Sequence, residues 1–134
     1  MRKLICFDLD NTLVYSDKAH VLAYNEALTK LGFKKKPKTF LKRLFGRPHA
    51  EIAKLVLPKV TQKLSNKFLY EHDKILVKKT SKYVRAIPNI VKTLKILKKN
   101  YDIAILSNCT KETMLATLKH AKINPKLFNI LIGN

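Results

Sequence analysis

The sequence predicts an α/β fold, a parallel-sheet core carrying an inserted helical cap, on three observations. Three short, almost wholly apolar runs, at residues 3–8, 103–106 and 128–132, read as strands buried on both faces, as in a parallel sheet. Met114, Leu115, Leu118 and Ala121 form one apolar helical stripe between the second and third runs, so strand, helix and strand read as a right-handed crossover. The long interval from about Ser16 to Val84 carries helical periodicity and no convincing strand.

Each element has its own signal. After the first strand, Val21, Tyr24, Leu28 and Leu31 make a stripe that ends at Gly32, followed by an exposed loop over 34–38. Residues 40–45 predict a short second helix and 50–57 a third. Leu64, Phe68, Ile75 and Leu76 predict a fourth, broken near His72. Four short amphipathic helices placed after the first strand read as a cap, which divides the chain into a core of 1–15 and 85–134 and a cap of 16–84. Pro88 suits a first helical position, with Ile87, Ile90, Leu94 and Leu97 repeating at helical spacing up to Asn100, and Thr110 can cap the helix before the third strand.

With 134 residues and 46% apolar content, the chain suits one globular domain with an insertion. No apolar run approaches the roughly 18 residues of a membrane helix, and the residues after Met1 lead straight into a strand, so no membrane is expected and the address is cytoplasmic. Two cysteines without metal-like spacing argue against zinc ligation and against a structural disulfide. Cys6 reads as a small core residue, and Cys109 follows a polar pair near a helix start. The formal net charge of +19 attracts polyanions or phosphorylated small molecules. Because the lysines are spread along the whole chain, a solvated basic surface is favoured over a dedicated nucleic-acid site.

The chemistry concentrates at Asp8 and Asp10. The chain has nine acidic residues against 28 Lys and Arg, and it brings two of them together where a strand ends, at an electrostatic cost that a cation or a reaction can offset. In an open α/β sheet ligands gather at the carboxyl ends of the strands, where Ser107 and Asn108 also stand. Two carboxylates able to hold Mg²⁺, with a hydroxyl and free N–H groups at a helix start, point to phosphate chemistry. Arg47 and His49, beside Gly46, are candidates for substrate recognition from the cap. His20, His72 and His120 lack ligand-like spacing and are expected in structural or surface roles.

The segment Phe7-Asp8-Leu9-Asp10-Asn11-Thr12-Leu13 is similar to the first motif of the haloacid dehalogenase (HAD) superfamily, D-x-D-x-[TV], and Ile105-Leu106-Ser107-Asn108 resembles its second. Ala86-Ile87-Pro88-Asn89 and Gly46-Arg47-Pro48 resemble segments of phosphoglycolate phosphatase-like and β-phosphoglucomutase-like members. The resemblance implies a Rossmann-like core, HAD-like but incomplete, and a Mg²⁺-dependent phosphatase acting on a small phosphorylated metabolite. Asp8 would be the nucleophile and Asp10 the general acid and base. Thr12 would steady the loop, and Ser107 with the Asn108 N–H would bind the phosphoryl group. The Asp8 carboxylate and Asp10 carbonyl would hold the metal. The family's later Lys and acidic motif have no counterpart before Asn134, so the expectation is the N-terminal part of such an enzyme, with a second polypeptide as one source of the missing motifs. The alternative from another class is a non-catalytic HAD-like remnant acting as a basic binding module for nucleic acid or another polyanion.

Overall fold

The computed structural model describes residues 2–134. Strand β1 (Lys3–Phe7) is followed by β2 (Val14–Tyr15), then by four helices, α1 (Asp17–Lys30), α2 (Lys38–Lys42), α3 (His49–Val56) and α4 (Gln62–Ile75). The chain continues through β3 (Arg85–Ala86), α5 (Ile90–Leu97), β4 (Tyr101–Leu106), α6 (Lys111–His120) and β5 (Ile130–Ile132). The sheet is parallel in the order β1-β4-β5, with Cys6 opposite Ala104 and Ala104 opposite Ile130. No helix among the described residues is long and apolar enough to cross a membrane.

Two consecutive right-handed crossovers that step in the same direction, β1 to β4 to β5, place their helices on the same face of a sheet. Ile103 and Ile105 of β4 are fully buried in a core that includes Leu94 of α5 and Met114 and Leu118 of α6. The register puts Leu4, Cys6, Leu106, Ile130 and Ile132 on the opposite face. There Leu4 is 50% exposed, Leu106 55% and Ile132 46%. This corrects the expectation of strands buried on both faces and of Cys6 as a core residue: Cys6 is exposed, because no described layer covers that side. Thr110 caps α6 as expected, its hydroxyl accepting the Thr113 N–H.

The helical segment leaves and returns through a two-stranded antiparallel ribbon, Val14 opposite Ala86 and Tyr15 opposite Arg85, with the Ile87 N–H donating to the Leu13 carbonyl at 3.0 Å. Two-residue strands are too short to show periodicity, so the sequence does not announce them. Helix α1 is the hub of the segment. Its Tyr24 stacks on Phe68 and, at 4.0 Å between ring centroids, on His72 of α4. Its polar face pairs Asp17 with Lys42, Lys30 with Glu71 and Glu26 with Lys79. Such exposed pairs each contribute little, so the apolar and aromatic contacts hold the helices together. Helix α4 runs unbroken through His72, which is fully buried against Tyr24, and the expected break falls later, where the helix widens into a π-turn at Leu76–Thr80. Pro88 precedes α5 instead of opening it: Asn89, in the left-handed region at φ 64°, is the residue from which that helix starts.

The two faces of the sheet predict opposite responses. Ile105→Ala removes a fully buried side chain from the central strand, and urea denaturation should show a loss of about 2–5 kcal/mol. Ile132→Ser on the open face should change stability by no more than about 0.5 kcal/mol. Equal losses would contradict the one-sided core.

Candidate active site

Asp8 follows β1 directly, and the loop after it is pinned by its own backbone. The Leu9 carbonyl accepts the N–H groups of Leu13 at 2.9 Å and Val14 at 3.2 Å, and Asn11 returns its N–H to Val14 at 2.7 Å. Asn11 sits at φ 58°, a conformation that asparagine tolerates better than most side chains. Leu9 and Leu13 are buried beneath the loop, which turns Asp8 and Asp10 toward a cavity of about 480 Å³. Across it stand Ser107 and Asn108 at the end of β4, and its far wall comes from Phe45, Gly46, Arg47 and His49.

The two carboxylates differ in their surroundings. Asp8 accepts the Leu9 N–H at 2.8 Å through Oδ1, yet partial burial, with the Asp10 charge adding to it, raises its pKa above the ordinary value. Burial pushes Asp10 upward too, but hydrogen bonds and charge from its neighbours prevail and hold it below the usual carboxylate range. Those neighbours are the Ser16 hydroxyl, donating to Asp10 Oδ1 at 2.5 Å, and His20 Nε2 at 3.2 Å from the same oxygen. Ser16 is the N-cap residue of α1, but its side chain makes no capping bond and serves Asp10 instead.

Asp8, Asp10, Ser107, Asn108, Arg47 and His49 all line this cavity. Thr12 does not: its side chain is exposed and away from the cavity, and it contributes only an N–H, 3.4 Å from the Leu9 carbonyl. The Arg47 guanidinium is engaged by Glu51 one helical turn on. Ser107 Oγ accepts the Cys109 N–H at 3.3 Å and donates to its sulfur at 3.2 Å, so the hydroxyl is already oriented. Cys109 itself is buried, and burial pushes its thiol up to about 11, which leaves it a protonated packing group and not a nucleophile.

Sequence reasoning missed Ser16, His20, His72 and Asp73. The first two are four residues apart at the start of a helix, which puts them on one side of it, and that spacing was the available signal. His20 Nδ1 lies 3.3 Å from His72 Nε2, and His72 Nδ1 lies 2.9 Å from Asp73 Oδ1. A continuous polar chain therefore runs from Asp10 through two histidines to Asp73. Burial depresses the His72 pKa to about 4, against partial support from Asp73, and His49 is lowered by burial as well.

The donor set at the carboxylate end suits Mg²⁺. Asp8 and the Asp10 main-chain carbonyl offer oxygen only, and that carbonyl accepts no hydrogen bond among the described residues. The main-chain N–H groups of Asp10 and Asn108 likewise donate to nothing among the described residues, which leaves donors at the cavity for an anion.

Residues 5–134 match the family described as haloacid dehalogenase-like hydrolase. Solved structures similar to the chain include a haloacid dehalogenase-like family hydrolase from Streptococcus pneumoniae, 20% identical with a TM-score of 0.82, covering 99% of this chain and 61% of that one. A hydrolase from Pseudomonas syringae is 23% identical with a TM-score of 0.81, at 99% and 61% coverage. A protein from Haemophilus somnus named a predicted phosphoglycolate phosphatase is 22% identical with a TM-score of 0.79, at 98% and 62% coverage. At these identities the likeness shows the fold, and the chain spans about three fifths of the length of these structures.

Buried His72 makes stability depend on pH. Its pKa is about 4 when folded and 6.5 ordinarily, so between those values the unfolded chain binds the extra proton. Stability is fully present above pH 6.5 and is lost as pH falls toward 4, by on the order of 3 kcal/mol, with His49 acting in the same direction. Urea midpoints measured from about pH 7.5 to about pH 5 should fall, and His72→Gln should flatten the slope. A wild-type midpoint that rises on acidification would contradict the assignment.

Proposed function

The chain belongs to the haloacid dehalogenase-like hydrolases, and from that premise we propose a Mg²⁺-dependent phosphatase acting on a small phosphorylated metabolite, with Asp8 as nucleophile. The observation that carries this reading is the contrast between the two carboxylates. Asp8 keeps one oxygen without a protein partner at the cavity, while Asp10 is fixed beside it by Ser16 and His20. An unencumbered carboxylate next to an oriented one suits a division of labour between attack and proton transfer.

In this mechanism an Asp8 oxygen forms a bond to phosphorus as the bond from phosphorus to the leaving oxygen breaks. Asp10 gives that oxygen its proton. The substrate-free cavity holds Asp10 ionised, and the charge of an entering phosphate favours proton uptake by a carboxylate beside it. Water, losing a proton to Asp10, then attacks the aspartyl-phosphate, releasing inorganic phosphate and restoring Asp8. Ser107 Oγ and the Asn108 N–H steady the phosphoryl oxygens, and His49 with Arg47 meets the rest of the substrate from the cap formed by 16–84. Mg²⁺, when bound by the Asp8 carboxylate and Asp10 carbonyl, neutralises the repulsion between phosphate and carboxylates.

The uncovered sheet face supports a further element of the proposal. A parallel sheet is ordinarily covered on both sides, and β1 presents a free edge. A further segment, from the same or a second polypeptide, would pack there and supply the remaining Lys and acidic groups, and the setting would be cytoplasmic. The +19 charge favours a second reading, a non-catalytic module binding nucleic acid or another polyanion. Retention on DNA that falls steeply with salt, without any hydrolysis, would select it.

Phosphate release from p-nitrophenyl phosphate in the presence of Mg²⁺ is the direct test. Asp8→Asn should abolish it, Asp10→Asn should lower kcat by about 10²- to 10⁴-fold, and Ser107→Ala by about 10²-fold. Unchanged turnover in Asp8→Asn would rule out the mechanism.

A further inference from the structure

The polar contacts beyond Asp10 lead to a second group of ligand-type side chains. Three polar contacts link Asp10, His20, His72 and Asp73, at 3.2, 3.3 and 2.9 Å, and each needs a hydrogen between its two atoms. His72 is fully buried between His20 and Asp73. His49, the first residue of α3, stands with its ring edge-on to His72 at 5.5 Å and 84°. One ligand atom from each of His49, His72 and Asp73 lies within 4.8 Å of the others.

We propose that His49, His72 and Asp73 form a transition-metal site, of the kind that takes Zn²⁺, separate from the oxygen-only site at Asp8 and Asp10. Two imidazoles and one carboxylate are a borderline-soft donor set that suits Zn²⁺ far better than Mg²⁺, and three protein ligands leave one position open. A metal between His72 Nδ1 and Asp73 replaces the hydrogen in that contact. The His72 hydrogen then sits on Nε2 and donates to His20 Nδ1, so a partner beyond the metal holds the ligand ring in place. Bonds of 2.0–2.1 Å in a tetrahedron set ligand atoms about 3.3 Å apart, which side-chain rotation of His49 at the start of α3 can reach from its present distance. His49 also lines the cavity. The location matters in so basic a chain: Asp10 and Asp73, at the two ends of the chain of contacts, offset the general repulsion of cations.

Cobalt reports this geometry without any activity measurement. The full chain, stripped with chelator, should develop visible ligand-field absorption that saturates at about one equivalent of Co²⁺, is erased by Zn²⁺ and persists in excess Mg²⁺. Asp8→Asn should keep the spectrum, which separates this site from the phosphatase metal. His49→Ala and Asp73→Asn, checked for folding by circular dichroism, should each weaken Co²⁺ binding by about tenfold or more. Absence of the bands in folded wild-type protein, or bands unchanged in both folded variants, overturns the proposal. Should either variant not fold, His49→Gln and Asp73→Ser carry the same comparison.

Discussion

The position of Asp10 is the constraint around which the rest is arranged. A second carboxylate beside Asp8, half-buried, is stable only if something holds its charge, and the Ser16 hydroxyl and His20 ring do so from the start of α1. That requirement fixes how α1 meets the strand end. Asn11 reinforces it, donating from the loop to Asp17 at 2.8 Å. Once α1 is anchored there, its opposite end and its Tyr24 determine where α4 lies, because the aromatic stack with Phe68 and His72 tolerates little displacement. The electrostatics of one carboxylate thus reach the packing of the helical segment.

Local signals were legible in the sequence and distant pairings were not. Asp8, Asp10, Ser107 and the Thr110 cap each announce themselves within a few residues, because a strand end, a turn and a helix start are encoded by neighbours. The six helices likewise follow from periodicity. The polar chain through His20 and His72 depends on contact between residues 52 apart, and single-residue spacing carries no trace of it. Cys6 failed for a different reason. An apolar run shows that a strand could be buried on both faces, whereas whether a layer covers the second face is decided by tertiary structure. The break expected near His72 does not occur. Its ring stacks on Tyr24 and its two nitrogens find partners, so the helix continues through it.

The third strand contributes to the site without bearing any chemistry. The Ser107 N–H donates to the Ile132 carbonyl at 3.0 Å, and the Asn134 N–H donates to the Cys109 carbonyl at 2.9 Å. Asn134 Nδ2 adds a bond to the Asn108 carbonyl at 2.8 Å. Gly133 lies between these contacts, and a Cβ there would meet the Cys109 carbonyl at 2.5 Å, closer than such atoms approach, so only glycine lets the two segments come together. The loop bearing Ser107 is therefore held on one side by its own Cys109 and on the other by the end of β5. A hydroxyl held in this way needs no reordering to meet a phosphoryl oxygen, which is the condition under which a donor assists transfer most. The loops bearing Ser107 and Asp8 meet at one cavity because β4, central in the sheet, takes its register from both β1 and β5.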